Sequence, residues 1–259
     1  MKTLVATRYV TPLREGGSLP AVVEASDGRL YVAKFRGAGQ GTRALVAEWL
    51  AGELARACGL AVPELVRLEL DEAFGRNEPD PEIRDLLRAS TGANLGLEFL
   101  QGAIGFDPIA PPAVDEALAS RIVWFDSYVM NVDRTPRNPN LLLAGERLWL
   151  IDHGAALYFH HAWANAGAGM ASPFAPVRDH VLLPRATRLG EAGEAVRAAL
   201  AAAPVAELLA ALPDAWLAAA DAPGDPAATR AAYKDWLTGR LAASANFESE
   251  AERARSALV

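Results

Sequence analysis

The chain predicts an α+β fold of two lobes, a small β-rich lobe with one helix followed by a larger, mostly helical one. Three observations carry that expectation: short apolar runs between turn signals over residues 4–35, a Gly- and Pro-rich stretch over 102–112, and Ala- and Leu-rich helical patterning from about residue 172 onward. The lobes divide as 1–105 and 106–259, parts of one domain. A chain of 259 residues, 51% hydrophobic and 22% charged, is large and apolar enough to bury a sizeable core.

The elements follow in order. Strands are expected over 4–10, 21–25 and 30–35; Gly16-Gly17 marks the first turn, and Asp27-Gly28 between two apolar runs is a strong hairpin signal. After the small-residue loop 37–41, residues 42–59 read as a helix with Thr42 as N-cap and Gly59 as C-cap. Leu45, Trp49, Leu50, Leu54, Ala57 and Cys58 give that helix one buried side. Residues 62–70 return to a strand pattern, 72–88 read as a charged loop and a short helix, and 95–100 as a further strand. In 113–130 the spacing of Val114, Leu118, Ile122, Phe125 and Val129 marks an amphipathic helix. The strands 141–143 and 148–151 are joined by the turn Ala144-Gly145-Glu146. The remainder is helix punctuated by Pro184, Pro204, Pro213 and Pro223.

Composition narrows the function classes. A net charge of −7 argues against broad binding of nucleic acid or anionic membrane. The one cysteine, Cys58, permits neither an internal disulfide nor a thiolate metal cluster, and a reducing, cytoplasmic setting is expected. Arg8 interrupts the N-terminal apolar run, which is too short for a signal peptide. The most hydrophobic stretch, 198–212, contains Pro204 and Glu207 and falls short of the ~20 apolar residues of a membrane span, so a soluble protein is expected.

Only Lys2, Lys34 and Lys234 of the 25 basic residues are lysines. In a chain that uses Arg as its general cation, a lysine inside the apolar run Leu30-Tyr31-Val32-Ala33-Lys34-Phe35 is a candidate for chemistry that needs a compact point charge. Residues 131–157 add a second signal: a loop with Asp133 and the amides Asn138 and Asn140, then a hairpin, then Asp152 followed by His153 and Gly154. Phosphoryl transfer needs such a set, with one carboxylate to orient a hydroxyl and an Asn plus a second carboxylate to hold Mg²⁺ against ATP phosphates.

Asn131-x-Asp133-Arg134, the Asn of the following loop and Ile151-Asp152-x-Gly154, taken with Lys34, Glu48 and the segment Leu97-Glu98-Phe99-Leu100, resemble the HipA-like kinases. More distantly they resemble the phosphatidylinositol 3/4-kinases of the protein-kinase-like fold, and the resemblance covers roughly the first 160 residues. It implies Asp133 as catalytic carboxylate, Asp152 with Asn138 or Asn140 as metal ligands, and Lys34 as the contact to the α- and β-phosphates. Glu98, Phe99 and Leu100 would form the hinge at the nucleotide, and Glu48 would orient Lys34. Glu53 lies about 140° round the helix from Glu48, so only one of the two can face the lysine. Gly16, Gly17 and Ser18 occupy the position of the phosphate-covering loop without its usual glycine spacing, and read equally as an ordinary turn. Two other departures are Thr135-Pro136 where the family commonly has His, and His153 in place of an apolar residue.

The expected function is ATP- and Mg²⁺-dependent phosphotransfer, most plausibly to a protein Ser or Thr hydroxyl, with an antitoxin-like partner raised by the resemblance alone. The alternatives are a small-molecule or lipid kinase of the same fold, or a nucleotide-binding pseudokinase. A pyridoxal-phosphate enzyme using Lys34 would leave Asp133 and Asp152 without a task. The Trp residues read as core, Asp126 as a brace for the loop or a polar flank, and Arg178-Asp179-His180 as candidates to line the acceptor side. Adjacent His160 and His161 do not make a zinc site.

Overall fold

A computed structural model describes residues 1–13, 19–109, 114–218 and 222–258. Five strands, β1 (Lys2–Pro12), β2 (Ala21–Ala25), β3 (Leu30–Lys34), β4 (Leu65–Leu70) and β5 (Gly92–Glu98), close into a barrel in the order β1-β2-β3-β5-β4. Closure comes from β1, which pairs antiparallel with β2 and parallel with β4, from Lys2 opposite Val66 to Val5 opposite Glu69. Small or β-branched side chains, among them Ala6, Ala21, Val23, Ala33 and Val66, share the narrow interior of this five-stranded barrel with the larger Leu4, Tyr31 and Leu68. Gly96 shows how narrow: a Cβ there would come within 2.6 Å of Leu68 Cδ1. At the Asp27-Gly28 turn, Gly28 takes φ +75°, which a side chain would resist.

Helix α1 (Gly41–Ala57) begins one residue before the expected Thr42. Gln40 is its N-cap and no side chain caps it, because the turn closed by Gly41 N–H to the Ala38 carbonyl already leads the chain in. Its end is a Schellman motif: Gly59, at φ +74°, bonds the Arg56 carbonyl and Leu60 N–H bonds the Ala55 carbonyl. The one-sided burial expected of α1 is not what the fold shows. Every residue from Leu45 to Gly52 is buried, more than two turns, so the helix is enclosed all round. Trp49 Nε1 donates to the Leu208 carbonyl at 3.0 Å, fastening it to the C-terminal helices.

Beyond α2 (Pro81–Ala89), which Asp80 caps and Pro81 opens, the Gly- and Pro-rich stretch holds a short strand that the sequence did not announce, β6 (Ile104–Gly105). It pairs with β7 (Leu141–Ala144), which forms a hairpin with β8 (Arg147–Leu150) across the Gly145-Glu146 turn. Between them runs α3 (Glu116–Tyr128), capped by Asp115 and buried without a break from Ile122 to Tyr128, so it too lacks a solvent face along that length. The helices α4 (Ala166–Met170), α5 (Leu189–Ala202), α6 (Val205–Ala210), α7 (Asp214–Leu217), α8 (Pro226–Ala242) and α9 (Ser244–Ser256) complete the described chain. Their apolar sides meet α1 and α3 in a core that includes Trp124, Trp216 and Trp236. Among the described residues no helix is long and apolar enough to cross a membrane.

Candidate active site

β3 ends on Lys34, whose side chain leaves the barrel toward α1 because its neighbours Ala33 and Phe35 face the barrel core. Its Nζ lies 2.5 Å from Glu48 Oε2 and 2.5 Å from Asp152 Oδ1. Glu48 is fully buried, so burial pushes its carboxyl up, but Lys34 and His153 together outweigh burial and hold it at about 2. Burial likewise works against the Lys34 charge, and Glu48 and Asp152 more than offset it, so its pKa is raised. Glu53, the competing carboxylate, is turned away and lies 3.6 Å from Arg56.

Behind this pair sits His153, also fully buried, with Nδ1 3.8 Å from Glu48 Oε1 and neither ring nitrogen hydrogen-bonded. Asp152 has a half-exposed side chain and a left-handed backbone, φ +55°, a conformation that a non-glycine residue holds only when its surroundings enforce it. Lys34 and Asp152 both line a cleft of about 910 Å³, within the usual range for small-molecule sites. Val32, Leu97, Leu142 and Ile151 line its apolar part, and Glu98, Phe99 and Leu100 run along its edge. Gly16, Gly17 and Ser18 lie outside the described residues.

The loop after α3 is built from buried polar groups. Asp126, on the last turn of α3, accepts from Arg134 Nε at 2.5 Å, Asn131 Nδ2 at 3.1 Å and His180 Nε2 at 3.0 Å. Leu182 N–H donates to His180 Nδ1 at 3.0 Å, which places the ring proton on Nε2, facing Asp126. Burial pushes the Asp126 carboxyl up, but Arg134 and His180 overcome it and hold it below the usual carboxylate range. Arg134 also donates to the Asn140 carbonyl at 2.5 Å, and Asn140 in turn accepts from Ile151 N–H at 3.1 Å. One buried guanidinium thus ties the loop to the backbone that leads into Asp152.

Asp133 is held at the surface of this scaffold. Asn131 Oδ1 accepts its backbone N–H at 3.2 Å, and its Oδ2 accepts from Asn138 Nδ2 at 2.8 Å and Asn140 Nδ2 at 3.4 Å. Both candidate amides therefore converge on one carboxylate oxygen. Asn138 is exposed, whereas Asn140 is nearly buried and left-handed, at φ +49°.

The loop-bracing role of Asp126 was one of two readings open from sequence, and the structure adopts it. His180 does not line an acceptor side; it turns inward to Asp126, and Arg178 and Asp179 pair with each other at 3.5 Å on the surface. The bracing roles of Asn131 and Arg134, and the burial of His153, were not foreseen. A polar cluster at the end of an apolar helix, Asp126 followed by Asn131 and Arg134, was the signal available for the first two. His160 is likewise buried, its Nδ1 2.8 Å from the Tyr233 hydroxyl, and burial pushes its pKa down to about 3.

Comparison with known proteins agrees with this architecture. The crystal structure of the Helicobacter pylori proinflammatory kinase CtkA superposes with a TM-score of 0.56 over 95% of this chain and 98% of that one. The two share 10% sequence identity, so the likeness is one of fold. No curated protein matches the chain. The model of the HipA-like kinase family matches residues 7–235, most of the chain, and the protein belongs to that family of kinase-type phosphotransferases.

Proposed function

We propose that the protein transfers the γ-phosphoryl group of ATP to a Ser or Thr hydroxyl of a protein, using Mg²⁺ and a cleft between an N-terminal lobe, 1–105, and a C-terminal one. The observation that carries this reading is the Lys34 ammonium seated 2.5 Å from both Glu48 and Asp152 on the wall of an apolar cleft.

The residues suit the ligands. Val32, Leu97, Leu142 and Ile151 offer an apolar slot for a base. Along the hinge the N–H groups of Glu98 and Phe99 are taken by the carbonyls of Glu64 and Leu30 and the Leu100 carbonyl accepts from Ala103 N–H at 3.2 Å, which leaves the Leu100 N–H to meet it. Lys34, positioned by Glu48, would contact the α- and β-phosphates. Among the described residues no group of three or more carboxylate, His or Cys side chains forms a metal cage. Mg²⁺ does not require one, since it binds through one or two carboxylates together with phosphates and water, and Asp152 with the side-chain carbonyl of Asn138 or Asn140 fits that pattern. When bound, the ion neutralises charge on the β- and γ-phosphates.

The two amide donors on Asp133 Oδ2 fix the carboxylate rotamer and leave Oδ1 to accept the acceptor hydroxyl proton. In the step itself the acceptor oxygen forms a bond to the γ-phosphorus as the bond to the bridging oxygen breaks, and the hydroxyl proton passes to Asp133.

The test is incubation with labelled ATP and Mg²⁺, first of the protein alone and then with cell lysate. Protein-bound label in the lysate supports the reading, and label only in small molecules replaces the acceptor class. Asp133→Ala should retain nucleotide affinity within a few-fold and lose on the order of 10²-fold or more in transfer. If ATP binds but the wild type labels nothing and Asp133→Ala behaves identically, the protein is a nucleotide-binding module.

A further inference from the structure

Within the catalytic loop, Thr135 and Asn138 form an antiparallel bridge, with Thr135 N–H on the Asn138 carbonyl and Asn138 N–H on the Thr135 carbonyl, each at 3.1 Å. Pro136 and Arg137 are the two residues at the tip of this turn, and the proline ring fixes the backbone that enters it. Both ends of the turn are anchored to Asp133: Thr135 N–H bonds its carbonyl at 3.0 Å, and Asn138 Nδ2 bonds its carboxylate at 2.8 Å. Arg137 is therefore an exposed cation one residue, about 3.8 Å along the Cα trace, from a group that touches the proposed base.

The other two cations of the site are committed. Lys34 bridges Glu48 and Asp152, and Arg134 is buried against Asp126 and the Asn140 carbonyl. Arg137 has no hydrogen bond or ion pair among the described residues, not even with Asp133. The carboxylate thus stays available as a proton acceptor, and the guanidinium stays available for a third, anionic group. Thr135 and Pro136 themselves offer no cation at the place where the family commonly has His. A phosphoryl group in flight spreads negative charge over its equatorial oxygens, and a planar, permanently charged fork matches that array.

We propose that Arg137 is a catalytic residue that contacts the transferring phosphoryl group and is the uncommitted cation of the loop. This rests on the phosphotransfer reading above. The probe is ADP with Mg²⁺, with and without aluminium fluoride, which imitates the phosphoryl group between donor and acceptor. Wild-type protein should bind ADP more tightly when aluminium fluoride is present. Arg137→Ala should lose at least about 10-fold of that gain while its affinity for ADP and Mg²⁺ alone stays within about twofold, and transfer should fall by about 10²-fold in kcat with KM for ATP little changed. Arg137→Lys should recover part of the gain, and the melting temperature of both variants should match the wild type. An intact gain in Arg137→Ala overturns the proposal, as does a parallel loss of ADP affinity and gain. Wild-type protein that binds ADP and Mg²⁺ without any gain overturns it while leaving nucleotide binding in place. Wild-type protein that binds no ADP and Mg²⁺ overturns the phosphotransfer reading with it.

Discussion

Replacing Lys34 with Met removes the cation from a fully buried carboxylate. Glu48 Oε1 already lacks a hydrogen-bond partner, Oε2 would lose its ammonium at 2.5 Å, and His153 Nδ1 stands 3.8 Å from Oε1. Breaking one side of a buried ion pair costs about 3–5 kcal/mol. The net fall of the Glu48 pKa from 4.5 to about 2, set by Lys34 and His153 against burial, is worth on the order of 3 kcal/mol, at about 1.4 kcal/mol per tenfold change in proton affinity. For a chain of this size, that loss lowers the melting temperature by roughly 6–20 °C at pH 7. Asp152 adds little to the sum, because its half-exposed carboxylate is screened by solvent.

The pH dependence gives the sign. In the wild type Glu48 has a depressed pKa, so its contribution is present above 4.5 and fades as pH falls toward about 2. In Lys34→Met burial, the largest influence on Glu48, is opposed by His153 alone and raises the carboxyl pKa from its depressed value, so the variant gains stability relative to the wild type as pH falls, and the gap between the two proteins narrows from pH 7 to pH 4.5. The double variant Lys34→Met/Glu48→Leu, with neither charge of this pair left, should recover most of the lost stability while remaining inactive. Calorimetric melts of the three proteins across that range make the measurement. A single variant as stable as the wild type, or a double variant as unstable as the single one, would refute a mutually dependent charge pair between β3 and α1.

Further expectations concern the loop and the barrel. Asp126→Asn, which leaves the buried Arg134 without its counter-charge, should cost about 3–5 kcal/mol in urea unfolding and speed hydrogen exchange in residues 131–140. Equal exchange in the two proteins would mean that the loop does not depend on this brace. Gly96→Ala should destabilise by about 1–3 kcal/mol with no direct effect on nucleotide affinity, because the added carbon meets Leu68 Cδ1 at 2.6 Å inside the barrel. Asp152→Asn should abolish the extra thermal stabilisation that ATP gives when Mg²⁺ is present, and equal stabilisation by ATP with a chelator in the wild type would count against Asp152 as metal ligand.

What the sequence alone determined is local. The Asp27-Gly28 hairpin, the Gly59 stop of α1 and the β7–β8 hairpin are each written in residues a few positions apart, because turn dihedrals and side-chain periodicity act over that range. Lys34 stood out by chemistry, as the sole interior lysine of an arginine-rich chain, and the order of Asp133, the two amides and Asp152 suggested a site before any contact was visible. Tertiary structure decided the rest. That β1 closes the barrel against β4 in parallel depends on partners some 60 residues apart, as in Lys2 opposite Val66, and no local pattern carries such a pairing. The enclosure of α1 and α3 on all sides was hidden because small or polar residues, which no hydropathy pattern marks as core, fill their remaining faces: Ala47, Glu48, Ala51 and Gly52 in α1, and Asp126 and Ser127 in α3. His180 lies 54 residues from Asp126 and reaches it only because α3 and the later turns share a core. A buried charge network is fixed by which groups are excluded from water together, a property of the packed fold and not of any single stretch of chain.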